Sequence, residues 1–116
     1  MDNKEIAELT LKLVLNPENL DEYNTKDFNG NPQLIYESDD SIYFLTNNVN
    51  TGRFYFSRSK IGSVLSIDRI TKMIFYTDVP STRGDGTLQY HKAFKKICKK
   101  IISILKKHDY KLMDSI

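Results

Sequence analysis

Between Asp85 and Asp109 the chain carries no acidic residue, while Lys92, Lys95, Lys96, Lys99, Lys100, Lys106 and Lys107 recur through an otherwise apolar run. With Phe94 at zero on a helical wheel, Tyr90, Ile97, Cys98, Ile101, Ile102, Ile104 and Leu105 cover roughly half the circumference, and the lysines fill a contiguous arc opposite them. The segment reads as a helix with one face in a core and one in water. The rest of the chain must supply the layer on which it lies.

That layer is written in a different period. From Gln33 onward the apolar residues alternate, in Leu34-Ile35-Tyr36, Ile42-Tyr43-Phe44-Leu45 and Arg53-Phe54-Tyr55-Phe56, which is the pattern of strands. Turn chemistry separates them: Ser38-Asp39-Asp40-Ser41 and Asn47-Asn48-Val49-Asn50-Thr51-Gly52. A short run, Ser63–Ile67, and a longer one, Arg69–Thr77, extend the antiparallel meander. Upstream, Asp2 followed by Glu5 is a capping-box-like start, and Ile6, Ala7, Leu9, Leu11, Leu13 and Val14 form the broad apolar stripe of a first helix that Asn16-Pro17 ends. Residues 18–32 are polar and turn-rich, so a short helical turn and an irregular connection are expected there, pinned to the body by Leu20, Tyr23 and Phe28. The expected fold is α+β: an N-terminal helix, an antiparallel sheet of four to five strands, and a C-terminal amphipathic basic helix packed on the sheet, in a single domain over residues 1–116.

Composition narrows the class. With 40% hydrophobic and 28% charged residues, the chain has enough apolar side chains to fold around a core. A lone cysteine, Cys98, permits no internal disulfide, so stability must come from packing and a cytoplasmic location is the default. The opening Met1-Asp2-Asn3-Lys4-Glu5 is acidic where a secretory leader would be basic, and no apolar run approaches the ~20 residues that span a bilayer. Neither export nor membrane association is expected.

The net charge of +2 hides an uneven distribution. Residues 1–52 hold ten acids against three lysines, whereas residues 53–108 hold thirteen bases against three acids. A segment at +10 suggests an anionic partner, beside the alternatives of an acidic protein surface and of a lysine face that is simply solvated or self-associates. The candidate ligand-binding residues are therefore Arg53, Tyr55, Arg58, Lys60, Arg69, Arg83, Lys92, Lys95, Lys96, Lys99 and Lys100. Lysines in a row suit phosphates, giving salt-dependent and largely sequence-blind binding. In Arg53-Phe54-Tyr55-Phe56-Ser57-Arg58-Ser59-Lys60, bases interleave with aromatics, and an exposed Tyr55 beside Arg53 could stack a base while the guanidinium holds a phosphate. Arg83 sits between small residues in the loop Ser81–Gly86, just before the lysine helix, with Asp85 as the helix cap.

Catalytic chemistry finds no constellation. His91 and His108 are seventeen residues apart on one helix, and Cys98 lies in the middle of its apolar face, where cysteine serves as a small hydrophobe. Glu37, Asp39 and Asp40 cluster at a turn without the spaced oxygens of a cation loop. No phosphate loop, dinucleotide fingerprint, zinc spacing or nucleophile elbow occurs, so neither a metal nor a cofactor is expected.

The stretch from Ile35 to Thr46 resembles the first hairpin of LytTR-type DNA-binding domains, and Phe56-Ser57-Arg58-Ser59-Lys60 resembles a later DNA-facing strand of that family. That family's intervening helix has no room here. The same hairpin followed by residues 63–72 is similar to bacterial pleckstrin-homology-like domains, whose last strands the loop at 78–86 is too short to hold. No functional residue is carried over from either. The reading is a non-enzymatic binding protein that engages a nucleic acid or phosphate-bearing nucleotide through its basic half. The alternative is a protein-interaction module, such as a phage-like inhibitor of a host enzyme, that binds an acidic protein surface. Charge asymmetry and strand edges also favour a homo-oligomer.

Overall fold

The computed structural model describes residues 2–18, 20–38, 41–79 and 87–113. Helix α1 spans Asn3–Leu15, with the Asp2 carboxylate accepting from the Glu5 backbone N–H at 2.8 Å, as the spacing predicts. Asn16 caps its end ahead of Pro17. A 3-10 turn at Leu20–Glu22 follows. Seven strands come next: β1 (Thr25–Lys26), β2 (Pro32–Ser38), β3 (Ser41–Asn48), β4 (Arg53–Arg58), β5 (Val64–Asp68), β6 (Met73–Thr77) and, after helix α2 (Thr87–Lys106), β7 (Lys111–Leu112). They form one sheet in sequence order, antiparallel except for the β6–β7 pair.

The α+β expectation holds in general, but the sheet has seven strands where four to five were expected. The two additions, β1 and β7, are two-residue edge strands. Neither is long enough to display an alternation of its own. The Arg69–Thr77 run is cut short because the Asp68 carboxylate accepts from the Ile70 and Thr71 backbone N–H groups at 3.0 and 3.1 Å. Those bonds turn the chain, Lys72 enters the left-handed region at φ 57°, and the strand starts only at Met73.

Both helices cover the same side of the sheet. Leu34, Tyr36, Tyr43, Leu45, Phe54, Phe56, Leu65, Ile67, Ile74 and Tyr76 point into the core and meet Ile6, Leu13 and Val14 from α1 and Phe94, Ile97, Ile101 and Leu105 from α2. Rings run across this layer in near-parallel stacks: Tyr36–Tyr43 at 5.7 Å, Tyr43–Phe56 at 5.8 Å and Phe56–Phe94 at 5.1 Å between centroids. Cys98 is fully buried among them, and burial pushes its thiol well above the ordinary value. The connection between the 3-10 turn and the sheet departs from expectation at one anchor. Tyr23 packs against the core, but Phe28 is wholly exposed at the β1–β2 turn; the Leu20 side chain lies outside the described residues. The Asp27 carboxylate organises that turn, accepting from the Asn29 and Asn31 N–H groups at 2.9 and 2.8 Å, while Gly30 supplies φ 81°.

Candidate anion-binding surface

The lysine helix lies as its pattern requires. Phe94, Ile97, Cys98, Ile101, Ile102 and Leu105 are buried against the sheet and α1, and Lys92, Lys96, Lys99, Lys100, Lys106 and Lys107 are exposed on the opposite side. None of these six forms an ion pair among the described residues. Lys95 differs: it is half-buried, and its ammonium lies 3.7 Å from the Asp78 carboxylate.

At the C-terminal end of α2 the row runs into a shallow cleft of about 360 Å³, in which Lys107 and His108 stand with Arg69 and Lys72 from the β5–β6 turn. The Lys72 ammonium reaches the His108 carbonyl at 3.5 Å and lies 5.9 Å from the Tyr110 ring centre. Asp109 is the one acid on the cleft wall. Arg69, singled out by charge alone, thus joins the helix row. Lys72 was not legible as a partner, because only the reversal of the chain between β5 and β6 brings it to the helix end.

The remaining candidates go elsewhere. Arg58 is buried, with 5% of its surface exposed. Its guanidinium donates to the Tyr43 hydroxyl and to the Ser41 hydroxyl, each at 2.8 Å, and lies within 5.0 and 4.9 Å of the Tyr43 and Tyr90 ring centres. The Lys60 ammonium lies over the same Tyr90 ring, 4.9 Å from its centre. Arg53 and Tyr55 alternate with the fully buried Phe54 and Phe56, so they point to the side of the sheet away from α2. There the Arg53 guanidinium lies 5.6 Å from the Phe75 ring centre and 3.3 Å from the Asp68 carboxylate. Arg53 and Tyr55 therefore do not share a surface with the lysines. Arg83 and the Asp85 cap lie outside the described residues.

A polar cluster that sequence reasoning missed ties the end of β6 to the start of α2. The buried His91 ring shares a 2.6 Å hydrogen bond with the Asp78 carboxylate, which also accepts from the Tyr76 hydroxyl at 3.2 Å and the Ser63 hydroxyl at 3.4 Å. Burial would raise the Asp78 carboxyl, but the His91 hydrogen bond and the Lys95 charge outweigh it and hold the group below its usual range. No signal in the sequence pairs residues 78 and 91, which meet only through packing of α2 on the sheet. Among the described residues no cluster of histidine, cysteine and carboxylate could hold a metal ion, and no helix is long and apolar enough to cross a membrane.

No protein-family model, curated protein or solved structure matches the chain. What it does has to be read from the chemistry of this surface.

Proposed function

We propose that the chain is a non-enzymatic binding protein that grips the phosphate backbone of a nucleic acid along α2. The observation that carries this reading is the row of six exposed lysines, without ion pairs among the described residues, continued by Lys72 and Arg69 at the helix end. Like charges three and four residues apart lower helix stability, so a counter-charge from a ligand is the natural compensation. Extent favours a polymer over a single nucleotide: from Lys92 to Lys106 the helix rises about 21 Å, a span that several consecutive phosphates cover and one nucleotide does not. Lysine ammonium groups act as point charges without the planar fork that reads bases, so binding should be sequence-tolerant.

The test is titration of a labelled oligonucleotide at several salt concentrations, with the parent chain and a Lys96→Glu/Lys99→Glu/Lys100→Glu variant. Salt-sensitive binding that the variant loses supports the reading. Binding that survives the reversal places the ligand elsewhere. The protein-interaction alternative, an inhibitor-like module on an acidic protein surface, would use the same lysines; it predicts no oligonucleotide binding and co-purification of an acidic partner that the variant releases.

A further inference from the structure

Positive charge is spread out along α2, but at the helix end it is gathered. Arg69 and Lys72 from the β5–β6 turn meet Lys107 and His108 from the turn after α2 in one cleft of about 360 Å³, at the lower end of the range for sites that hold a small molecule. Arg69 is half-buried, and its guanidinium makes no hydrogen bond or ion pair among the described residues. Glu18 shares a neighbouring hollow with it without pairing. A guanidinium has five N–H donors and cannot shed its charge, so one that is half-buried and unpaired is poised for an acceptor. Lys72 is already set in place by the His108 carbonyl and the Tyr110 ring.

The local charge sets the ligand. Three permanent cations on the cleft wall stand against the Asp109 carboxylate and the roughly half negative charge of the α2 C-terminus, which leaves about +1.5 before His108 is counted. The helix carbonyls that would meet an anion are already taken, since those of Ile104, Leu105 and Lys106 accept from the backbone N–H groups of residues 107–110. A phosphodiester within a strand carries a single negative charge, whereas a phosphate monoester carries about −1.5 to −2 at pH 7. Along α2 a diester meets scattered ammonium groups; the cleft matches the monoester, and the Arg69 fork adds a bidentate contact that lysine lacks. We infer that this cleft holds the terminal phosphate monoester of a nucleic-acid strand whose backbone lies along α2. The inference rests on the reading of α2 as a phosphate-gripping surface, with Lys107 common to the row and the cleft. Val14 and Leu15 at the end of α1 give the cleft an apolar wall for the last sugar and base. A free mononucleotide has the same phosphate chemistry but would leave the α2 lysines uncovered.

Competition binding at about pH 7.5, where the monoester is ionised, tests this with one single-stranded oligonucleotide bearing a 5′-phosphate, a 3′-phosphate or hydroxyls at both ends. A nucleoside 5′-monophosphate is the fourth competitor. One phosphorylated end should bind about 10-fold or more tighter than the hydroxyl-ended strand. Arg69→Gln combined with Lys72→Gln, and separately Lys107→Gln, with folding checked by circular dichroism, should remove that preference while the hydroxyl-ended strand still binds. Reversal of Lys96, Lys99 and Lys100 to glutamate should weaken all three strands. Strands that bind alike whatever their ends, and are lost with that reversal, overturn the inference and leave the α2 reading standing. A preference that survives the cleft variants also overturns it, since the phosphate then lies elsewhere. A mononucleotide that competes as well as the phosphorylated strand overturns the strand end in favour of a free nucleotide. If no strand binds, both readings fall.

Discussion

Arg58 and Asp78 show what charge does once the fold has closed around it. Arg58 is isolated in sequence by Ser57 and Ser59 and invites the reading of a ligand contact, yet its alternation with Phe54 and Phe56 sends it to the core side, where two tyrosine rings and two hydroxyls hold it. Truncation by Arg58→Ala should cost about 2–3 kcal/mol in denaturant unfolding, from lost packing and stranded hydroxyls. Arg58→Met keeps the apolar stem and removes a buried charge, so it should cost less than half as much. Asp78 is the opposite case, a partly exposed carboxylate whose value lies in its bond to His91. Its folded-state carboxyl is held below the unfolded value, so its contribution is complete above about pH 4 and fades as pH falls through the folded value. Asp78→Asn should accordingly lower stability by about 1 kcal/mol at pH 7, after allowance for its exposure. Melting curves of parent and variant should begin to draw together below about pH 4 and converge as pH falls through the folded value. The alternation of Arg58 with Phe54 and Phe56 was visible in the sequence; what was not visible is which of the two strand faces the helices would choose.

Elements were legible in proportion to their length. Thirteen residues of α1, twenty of α2 and the five strands from β2 to β6 each repeat their period often enough to declare themselves. β1 and β7 exist because a longer neighbour offers unpaired backbone: β2 holds Thr25 and Lys26, and β6 holds Lys111 and Leu112. Phe28 was assigned to the core on hydrophobicity alone, but the Asp27 turn fixes its backbone so that the ring projects into solvent. The face of α2 was legible in full, and it carries a cost that can be measured. Lys92, Lys96 and Lys100 stand four residues apart along the same line, so Lys96→Gln should stabilise the ligand-free chain by about 0.2–0.5 kcal/mol for each like-charge pair removed. Added salt should narrow the difference, since it screens the same repulsion. The substitution should also weaken oligonucleotide binding. Opposite signs in the two assays would identify the lysine row as a surface kept for binding and not for stability.

At the scale of the whole molecule, the two sides of one sheet differ in what they present. α2 places lysines outward on one side, and the strands turn a mixed face outward on the other, with Phe44, Tyr55 and Phe75 among Thr46, Ser57, Ser66 and the Arg53–Asp68 pair. Because the α2 lysines and the outward-facing strand residues lie on opposite sides of the layer, binding through one side should be insensitive to substitution on the other. For a ligand held by about four lysines, the logarithm of the binding constant should fall against the logarithm of salt concentration with a slope of about −3 on a single strand and about −4 on a duplex. Neutralising Lys99 and Lys100 should flatten that slope by about 2. Phe44→Lys should leave the slope as it is in the parent. A slope that shifts with Phe44→Lys would instead mean that the ligand reaches the bare face, and the assignment of binding to the α2 side would fail.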